Sequence, residues 1–171
     1  MKYLTLILLL ISFNVNAGWT TGLADDGNYY AVTTSTKCNN TFFQVIYQRY
    51  KGCMPLGIYG VAGIDVEEGE QTSDLKLRVD KGRIYSLEVD GLNSSDGQRL
   101  FIPLIDNQSS LLVELAQGKT LRLKGTGEVT NSDIIDVFSL AGSGQALMSA
   151  AKKCTAQKGQ DAEYFEDEDY L

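Results

Sequence analysis

The chain has 171 residues, with 22 acidic and 15 basic side chains, a formal net charge of −7 and no histidine. The absence of histidine excludes catalytic triads and dyads that use an imidazole base, and also zinc sites with imidazole ligands. Most of the acidic excess lies at the end of the sequence, so the remainder is close to neutral. Nucleic acid is therefore not an expected partner, because its binding requires a basic excess or stripe.

The first residues, MKYLTLILLLISFNVNA, have the pattern of a secretory signal peptide. Lys2 precedes an apolar run from Tyr3 to Phe13, and small or polar residues follow up to Ala17. The run is shorter than the roughly 20 residues that span a bilayer. We expect cleavage at about Ala17 and a periplasmic or secreted product without a membrane span.

From Trp19 onward, β-rich segments alternate with turn signals, as they do in sandwiches and barrels. WTTGLA, YYAVTTST and TFFQVIYQRY predict the first three strands, joined by hairpin turns at Asp25–Asn28 and Asn39–Asn40. Pro55 and several glycines interrupt the next stretch, so only short or irregular strands are expected over residues 57–66. A polar loop is expected over residues 67–74.

The middle of the chain alternates more clearly between apolar and polar residues. DLKLRVD and RIYSLEV each place apolar residues on one face and charges on the other, which predicts two half-buried strands. DGLNSSDGQ predicts an exposed loop, and RLFIPLI predicts a strand. Pro103 lacks a backbone N–H, so it indicates an edge position or a bulge in that strand.

Two helices are predicted. QSSLLVELAQGK indicates a short helix closed by Gly118, since glycine tolerates the left-handed conformation after a helix. Strands in KTLRLKG and DIIDVFSL follow, and SGQALMSAAKKC then has the apolar spacing of a helix that ends near Cys154. The predicted fold is a mainly β single domain, 18–156: an antiparallel β-sandwich or open barrel with one short internal helix and a C-terminal helix. An acidic, disordered tail is predicted over 157–171.

The chain has three cysteines, which predicts one disulfide and one free thiol in an oxidising compartment. A strand between Cys38 and Cys53 would hold the two about 30 Å apart, whereas a disulfide needs Cα atoms within about 7 Å. We therefore expect Cys154 to pair with Cys53, with Cys38 as the alternative partner. A free, buried Cys154 packed as a small apolar side chain is the other possibility.

The order of elements near the end of the chain, through LLVELAQGK, TLRLKG and FSLAGSGQALMSAAKKC, resembles two groups of exported bacterial proteins. These are the invasion-associated locus B family and the periplasmic accessory proteins of type VI secretion. The likeness covers mainly residues 98–154, with Trp19 as a minor addition. It implies export and a β-sandwich with a C-terminal helix, and it assigns no catalytic residue.

The sequence predicts no catalytic, cofactor or metal site. Carboxylates near Glu67 or the pair Asp133 and Asp136 could serve a glycosidase-like mechanism, but each set lies in or beside a polar loop, where solvated carboxylates are usual. No calcium-binding loop pattern occurs. The protein is therefore predicted not to be an enzyme, and another protein is its expected partner.

Two segments are candidates for binding that partner. Tyr30 and Phe43 belong to an aromatic-rich group of strands, and such residues serve either as core or as recognition surface. The second candidate is the tail, which either keeps the protein soluble or docks into a basic groove. Its acidic residues are Asp161, Glu163, Glu166, Asp167, Glu168 and Asp169.

Small size, export and the lack of an active-site pattern predict a non-enzymatic binding protein, an accessory or interaction module. The alternative is a periplasmic immunity or inhibitor protein that neutralises a secreted toxin such as a cell-wall hydrolase or a lipase. A neighbouring toxin gene whose product co-purifies would distinguish the second function from the first.

Overall fold

The computed structural model describes residues 18–64, 67–104, 109–126 and 133–166. They form a nine-stranded antiparallel sheet, curled into a half-barrel, with two helices. The predicted mainly β fold is confirmed in its open-barrel form. The strands are β1 Thr20–Leu23, β2 Tyr29–Thr34, β3 Thr41–Gln48, β4 Met54–Ala62, β5 Gly69–Val79, β6 Tyr85–Ser94, β7 Gly97–Pro103, β8 Thr120–Thr126 and β9 Asp133–Ser139; the helices are α1 Ser109–Gln117 and α2 Ser143–Glu166.

The strand order across the sheet is β1-β2-β3-β4-β7-β6-β5-β8-β9. The sheet curls until its last strand meets the end of β2, where Ser35 and Phe138 form an isolated antiparallel bridge. Next to this bridge, the backbone N–H of Thr36 donates to the carbonyl of Val137 at 2.8 Å. This short seam joins β9 to the end of β2 without a full hydrogen-bonded ladder, so the barrel stays open.

The core lies inside the curl, and the two helices cover it. Inward residues of the strands contribute one contiguous cluster, which α1 joins through Leu111 and Leu115 and α2 joins through Leu147, Ala150 and Cys154. These helical side chains are almost fully buried. Burying a Leu side chain stabilises the fold by about 1.5–3 kcal/mol, so the helices contribute substantially to the domain.

Two predicted loops and one predicted irregular stretch are regular strands. β4 is an unbroken nine-residue strand, because ladders to β3 and β7 on both sides satisfy its backbone despite its glycines. The expected loop 67–74 is largely the first half of β5, and the expected loop 90–98 is the β6–β7 hairpin. Their inward side chains are polar, and Asn93 accepts hydrogen bonds from Gln71 and Gln98. Because polar side chains face inward here, these segments lack the alternation of apolar and polar residues that predicts a strand.

Gly118 and Pro103 both mark the ends of elements, but only Gly118 does so for a different reason than its sequence suggested. Gly118 follows α1 as predicted, but its φ is not positive; a side chain there would collide with Val79 and approach the Glu114 carbonyl at 2.8 Å. Close packing therefore requires this glycine. Pro103 pairs with Leu56 of β4 at the last position of β7, beyond the residues that pair with β6. Pro103 thus has a neighbouring strand on one side only, which agrees with the predicted edge position.

The last helix is longer than expected. Its backbone is helical through Glu166, whereas the sequence predicted the end of the helix near Cys154 and an acidic tail from residue 157. Residues 167–171 lie outside the described part of the chain. The helical extension carries the chain about 18 Å beyond Cys154, at 1.5 Å of rise per residue.

Candidate functional site

The disulfide joins Cys53 and Cys154, one of the two pairings that the sequence left open for Cys154, with Cα atoms 5.9 Å apart. It links the turn between β3 and β4 to α2, and Cys154 itself is fully buried. Cys38 is free and exposed. The bond therefore ties the N-terminal strands to the last helix, which fixes the part of the sheet that carries the aromatic residues.

The two aromatic candidates lie on opposite faces of that sheet. Phe43 has no exposed surface and packs against Trp19 and Phe138, with ring centroids 6.3 and 6.0 Å away. As a binding residue Phe43 is a wrong prediction, because it lies in the core, the other role that its sequence allowed. Tyr30 is half-buried on the outer face, where its ring lies over Gly22.

Tyr30 belongs to an apolar surface that spans the outer face of β2, β3, β4 and β7. The strand register places Tyr30, Ile46 and Leu56 in one row across these strands. Val32, Gln44 and Ile58 form the adjacent row, which Phe101 completes on β7. We call this surface the apolar plate; it consists of Tyr30, Val32, Phe42, Ile46, Leu56, Ile58 and Phe101.

The apolar plate is separate from the core. None of its side chains belongs to the core cluster or to the partly buried residues packed against that cluster. Its members are half-buried by one another, and Ile58 in the middle is only 5% exposed. Neither α1 nor α2 covers this face, since both helices pack on the inner side. The plate is thus a preformed apolar surface on the convex side of the barrel.

Two glycines let aromatic rings lie flat on this surface. The Phe42 ring covers Gly60 and the Tyr30 ring covers Gly22, and a methyl group at either glycine would overlap the ring above it. Aromatic side chains over strand glycines are a known device for covering exposed backbone. The glycines therefore set the position of both rings. The sequence offered a signal that Phe42 lies on the outer face, because the polar residues Gln44 and Gln48 share its face of β3.

Charge is almost absent around the plate. β1, β2, β3 and β4 contain no charged residue, and β7 contains only Arg99, which is paired with Asp96. Depletion of charge together with enrichment in Tyr, Phe and Met is the composition found at the centre of protein–protein interfaces. Polar residues such as Gln44 and Gln48 lie within or beside the plate. The composition thus matches an interface centre and its rim.

Three of the six acidic candidates of the tail belong to α2. Asp161, Glu163 and Glu166 belong to the far end of α2, and the helix packs through its earlier residues against the inner side of β1, β2 and β3. Asp167, Glu168 and Asp169 lie outside the described residues. The packed part of α2 therefore lies on the inner side of the sheet, whereas Tyr30 lies on the outer face.

A buried carboxylate lies at the seam of the barrel. Asp136 has no exposed surface, so the expectation of a solvated side chain beside a loop is wrong for this residue. Tyr59 donates a hydrogen bond to its Oδ2 at 2.7 Å, and Ser35 donates to its Oδ1 at 2.9 Å. These bonds join β4, β9 and the end of β2, and they compensate the cost of burying the carboxylate.

The same carboxylate influences its neighbours. Burial, together with the hydrogen bond to Asp136, holds the pKa of Tyr59 well above its usual value. A hydrogen bond to Asp136 also raises the pKa of the Cys38 thiol, with a smaller contribution from burial. Cys38 and Tyr59 line a cavity of about 440 Å³. Because a raised pKa keeps the thiol protonated, this cysteine is less nucleophilic than an ordinary exposed one.

Among the described residues, no group of three or more acidic, cysteine or histidine side chains is arranged to hold a metal ion. None of the described helices is both long and apolar enough to cross a membrane. No family model, no curated protein and no solved structure matches this chain. The resemblance to invasion-associated locus B and type VI accessory proteins therefore stays a prediction.

Proposed function

We propose that the protein is an exported, non-enzymatic binding module that contacts another protein through the apolar plate. The observation that supports this proposal is an uncharged surface that contains aromatic side chains and that neither helix covers. The surface lies on the strands that the disulfide links to the last helix. Contiguous apolar surface on the outside of a soluble domain usually marks an interaction site. Tyr30 and Phe42 are the expected anchors, since aromatic side chains dominate interface energetics.

Export is part of the proposal and has two supports. The first is the signal-peptide pattern of residues 1–17, and the second is the Cys53–Cys154 disulfide. Disulfides form and persist in oxidising compartments and are rare in the cytosol. An accessory role next to a larger exported assembly would use the plate as its attachment surface.

The proposal is tested by placing a charge in the centre of the plate. Ile46→Arg puts a cation between Tyr30 and Leu56, where a docked partner would leave it buried and unpaired. Ser95→Arg adds the same charge in the exposed β6–β7 turn and is the matched control. Each variant would be used, with its disulfide intact, to capture partners from an extract of the cell envelope, and binding would then be measured with the purified partner.

We expect Ile46→Arg to weaken binding at least tenfold, about 1.4 kcal/mol, and Ser95→Arg to leave it unchanged. Binding to wild type should also change little with salt, because the plate is uncharged. A partner that binds both variants equally would refute the plate as the binding surface. If the plate-dependent partner is a secreted hydrolase, the immunity function follows instead of the accessory one.

A finer variant moves one ring without altering its chemistry. Gly22→Ala forces the Tyr30 ring off its position, while the aromatic side chain itself remains. We expect an intermediate loss of affinity with an unchanged circular dichroism spectrum. Equal affinity of this variant and wild type would show that Tyr30 is not an anchor.

A further inference from the structure

The hydrogen-bonded ladder between β6 and β7 ends part-way along both strands. Residues 91–94 pair with residues 97–100, and the pairing stops at Gly91 and Leu100. Residues 85–90 still pair with β5 on one side, and residues 101–103 still pair with β4. The two strands therefore diverge and leave an opening in the sheet, which we call the β6–β7 cleft.

One wall of the β6–β7 cleft is the free edge of β6. Successive residues of a strand direct their N–H and C=O groups to opposite sides, so every second residue in the range 85–90 directs both groups away from β5. Among the described residues, no backbone hydrogen bond outside the β5–β6 ladder involves residues 85–90. This edge of β6 is thus available to pair with a further strand.

The β6–β7 cleft opens on the outer face of the sheet, where a cavity of about 610 Å³ lies beside the end of the ladder. Leu92, 39% exposed, and Phe101 contribute apolar surface to this cavity. Glu70 and Asp90 contribute two carboxylates. An occupant of the cavity would therefore meet apolar side chains and negative charge next to an unpaired backbone edge.

The free edge of β6 is acidic on its outer side. Glu88 and Asp90 are exposed and lie two residues apart, so their side chains share one face of the strand. Among the described residues, Glu70, Glu88 and Asp90 make no ion pair and no side-chain hydrogen bond. Two copies of this edge would repel each other, which disfavours pairing with a second copy of the chain. A basic segment would instead be attracted by this charge.

We propose that the β6–β7 cleft binds an extended, basic segment of another protein, which adds a strand to the free edge of β6. In this mode of recognition, backbone hydrogen bonds supply affinity and alternate side chains supply specificity. Lysine or arginine side chains on the outer face of the added strand would lie beside Glu88 and Asp90. Residues 85–90 span about 20 Å, at about 3.4 Å per residue, so a segment of about six residues matches the free edge.

The inward side chains of the added strand define the rest of the partner segment. Val89 on β6 and Ile102 on β7 are buried residues of the core cluster on either side of the opening. Small or apolar side chains suit this position, since an unpaired charge there would lose its hydration. The partner segment therefore alternates between basic and apolar residues, which is the period of a half-buried β-strand.

A short designed peptide tests the proposal. The probe is a blocked heptapeptide of alternating lysine and valine, and its control is the same peptide with glutamate in place of lysine. Fluorescence anisotropy would measure the affinity of each peptide for the mature chain. Asp90→Lys reverses one charge beside the free edge of β6. Asp25→Lys makes the same change in net charge in the exposed turn between β1 and β2, and it is the matched control.

We expect the lysine peptide to bind wild type saturably below about 1 mM, and the glutamate peptide not to bind. Asp90→Lys should weaken binding of the lysine peptide at least fivefold, because a cation replaces the carboxylate beside the added strand, whereas Asp25→Lys should leave it unchanged. Absence of saturable binding by the lysine peptide at about 1 mM would overturn the proposal. So would equal affinity of the two variants, which would show that the segment does not lie beside Asp90.

Hydrogen exchange distinguishes backbone pairing from attraction between charges alone. The bound lysine peptide should slow exchange at least tenfold at those amides of residues 85–90 that point into the cleft, and it should leave the amides of β1 unchanged. A peptide that binds without added protection in residues 85–90 would also overturn the proposal. Ile46→Arg, which disrupts the apolar plate, should leave peptide binding unchanged, so failure of the cleft is distinguishable from failure of the proposed function.

Discussion

Removal of the Cys53–Cys154 bond should lower the free energy of unfolding by several kcal/mol. The bond closes a loop with a sequence separation of 101 residues. A loop of this length restricts the unfolded chain enough to contribute about 4.7 kcal/mol in the chain-entropy model. The two positions suit a Cys53→Ala and Cys154→Ala double variant, because alanine leaves no unpaired polar atom at the fully buried position 154.

One feature reduces the expected loss. Cys53 has a φ of 63°, a left-handed conformation that is unfavourable for residues other than glycine. Such a residue costs of order 1 kcal/mol, which is released if the turn relaxes without the bond. The net destabilisation should therefore be about 3–4 kcal/mol, or a decrease in melting temperature of roughly 10 °C for a domain of this size.

Urea denaturation of wild type, the double variant and Cys38→Ala would measure this loss. Cys38→Ala is the matched control, because it removes an exposed free thiol and should stay within about 0.5 kcal/mol of wild type. Wild type in a reducing buffer should behave like the double variant. A difference of less than 1 kcal/mol between wild type and the double variant would refute the reasoning that this bond constrains the unfolded chain.

Three further predictions concern the carboxylate at the seam, one buried tyrosine and one glycine. Asp136→Asn should destabilise the fold by about 1–3 kcal/mol, because an amide cannot accept both hydrogen bonds. The same variant should lower the pKa of Cys38, which the alkylation rate of the thiol against pH would measure. An unchanged alkylation profile would show that the carboxylate does not act on the thiol. Burial raises the pKa of Tyr47 to about 12, so its contribution to the free energy of unfolding should be complete below pH 10 and should be lost as the pH rises through 12. Thermal melts should show a smaller decline in stability with pH for Tyr47→Phe than for wild type. An equal decline would contradict this prediction. Gly97→Ala should lower the free energy of unfolding by more than about 2 kcal/mol, because φ is 132° and a Cβ would collide with the Val61 carbonyl. Urea denaturation would measure this loss, and a variant as stable as wild type would show that the β6–β7 turn can rearrange.

The sequence predicts the fold well where one strand face is apolar and the other polar. The alternation around Leu75 and Leu87 and the apolar spacing before Cys154 are confirmed by β5, β6 and α2. The failures have a common physical cause. In β4 and in the first half of β5, glycines or polar residues face inward, and long-range ladders outweigh the local preference for a loop.

The candidate site could be predicted only in part, because it depends on which face of β3 is inside. Phe42 and Phe43 are adjacent, and a one-residue shift in register exchanges their roles. Gln44 and Gln48 on the Phe42 face were the available signal. The row from Tyr30 to Leu56 combines strands whose register no single segment specifies, so the apolar plate emerges only when the sheet is assembled.

The seam of the barrel also affects how the protein acquires its structure. It joins Ser35 to Asp136 and Phe138, residues about a hundred positions apart, through side-chain hydrogen bonds and a single bridge. Closure over such a distance is slow relative to local hairpins, so the free side of β9 should remain an open edge until late in folding. Open edges pair with other chains, and aggregation during refolding should thus be highest before the amides of Thr36 and the neighbouring seam residues gain protection in pulsed hydrogen exchange.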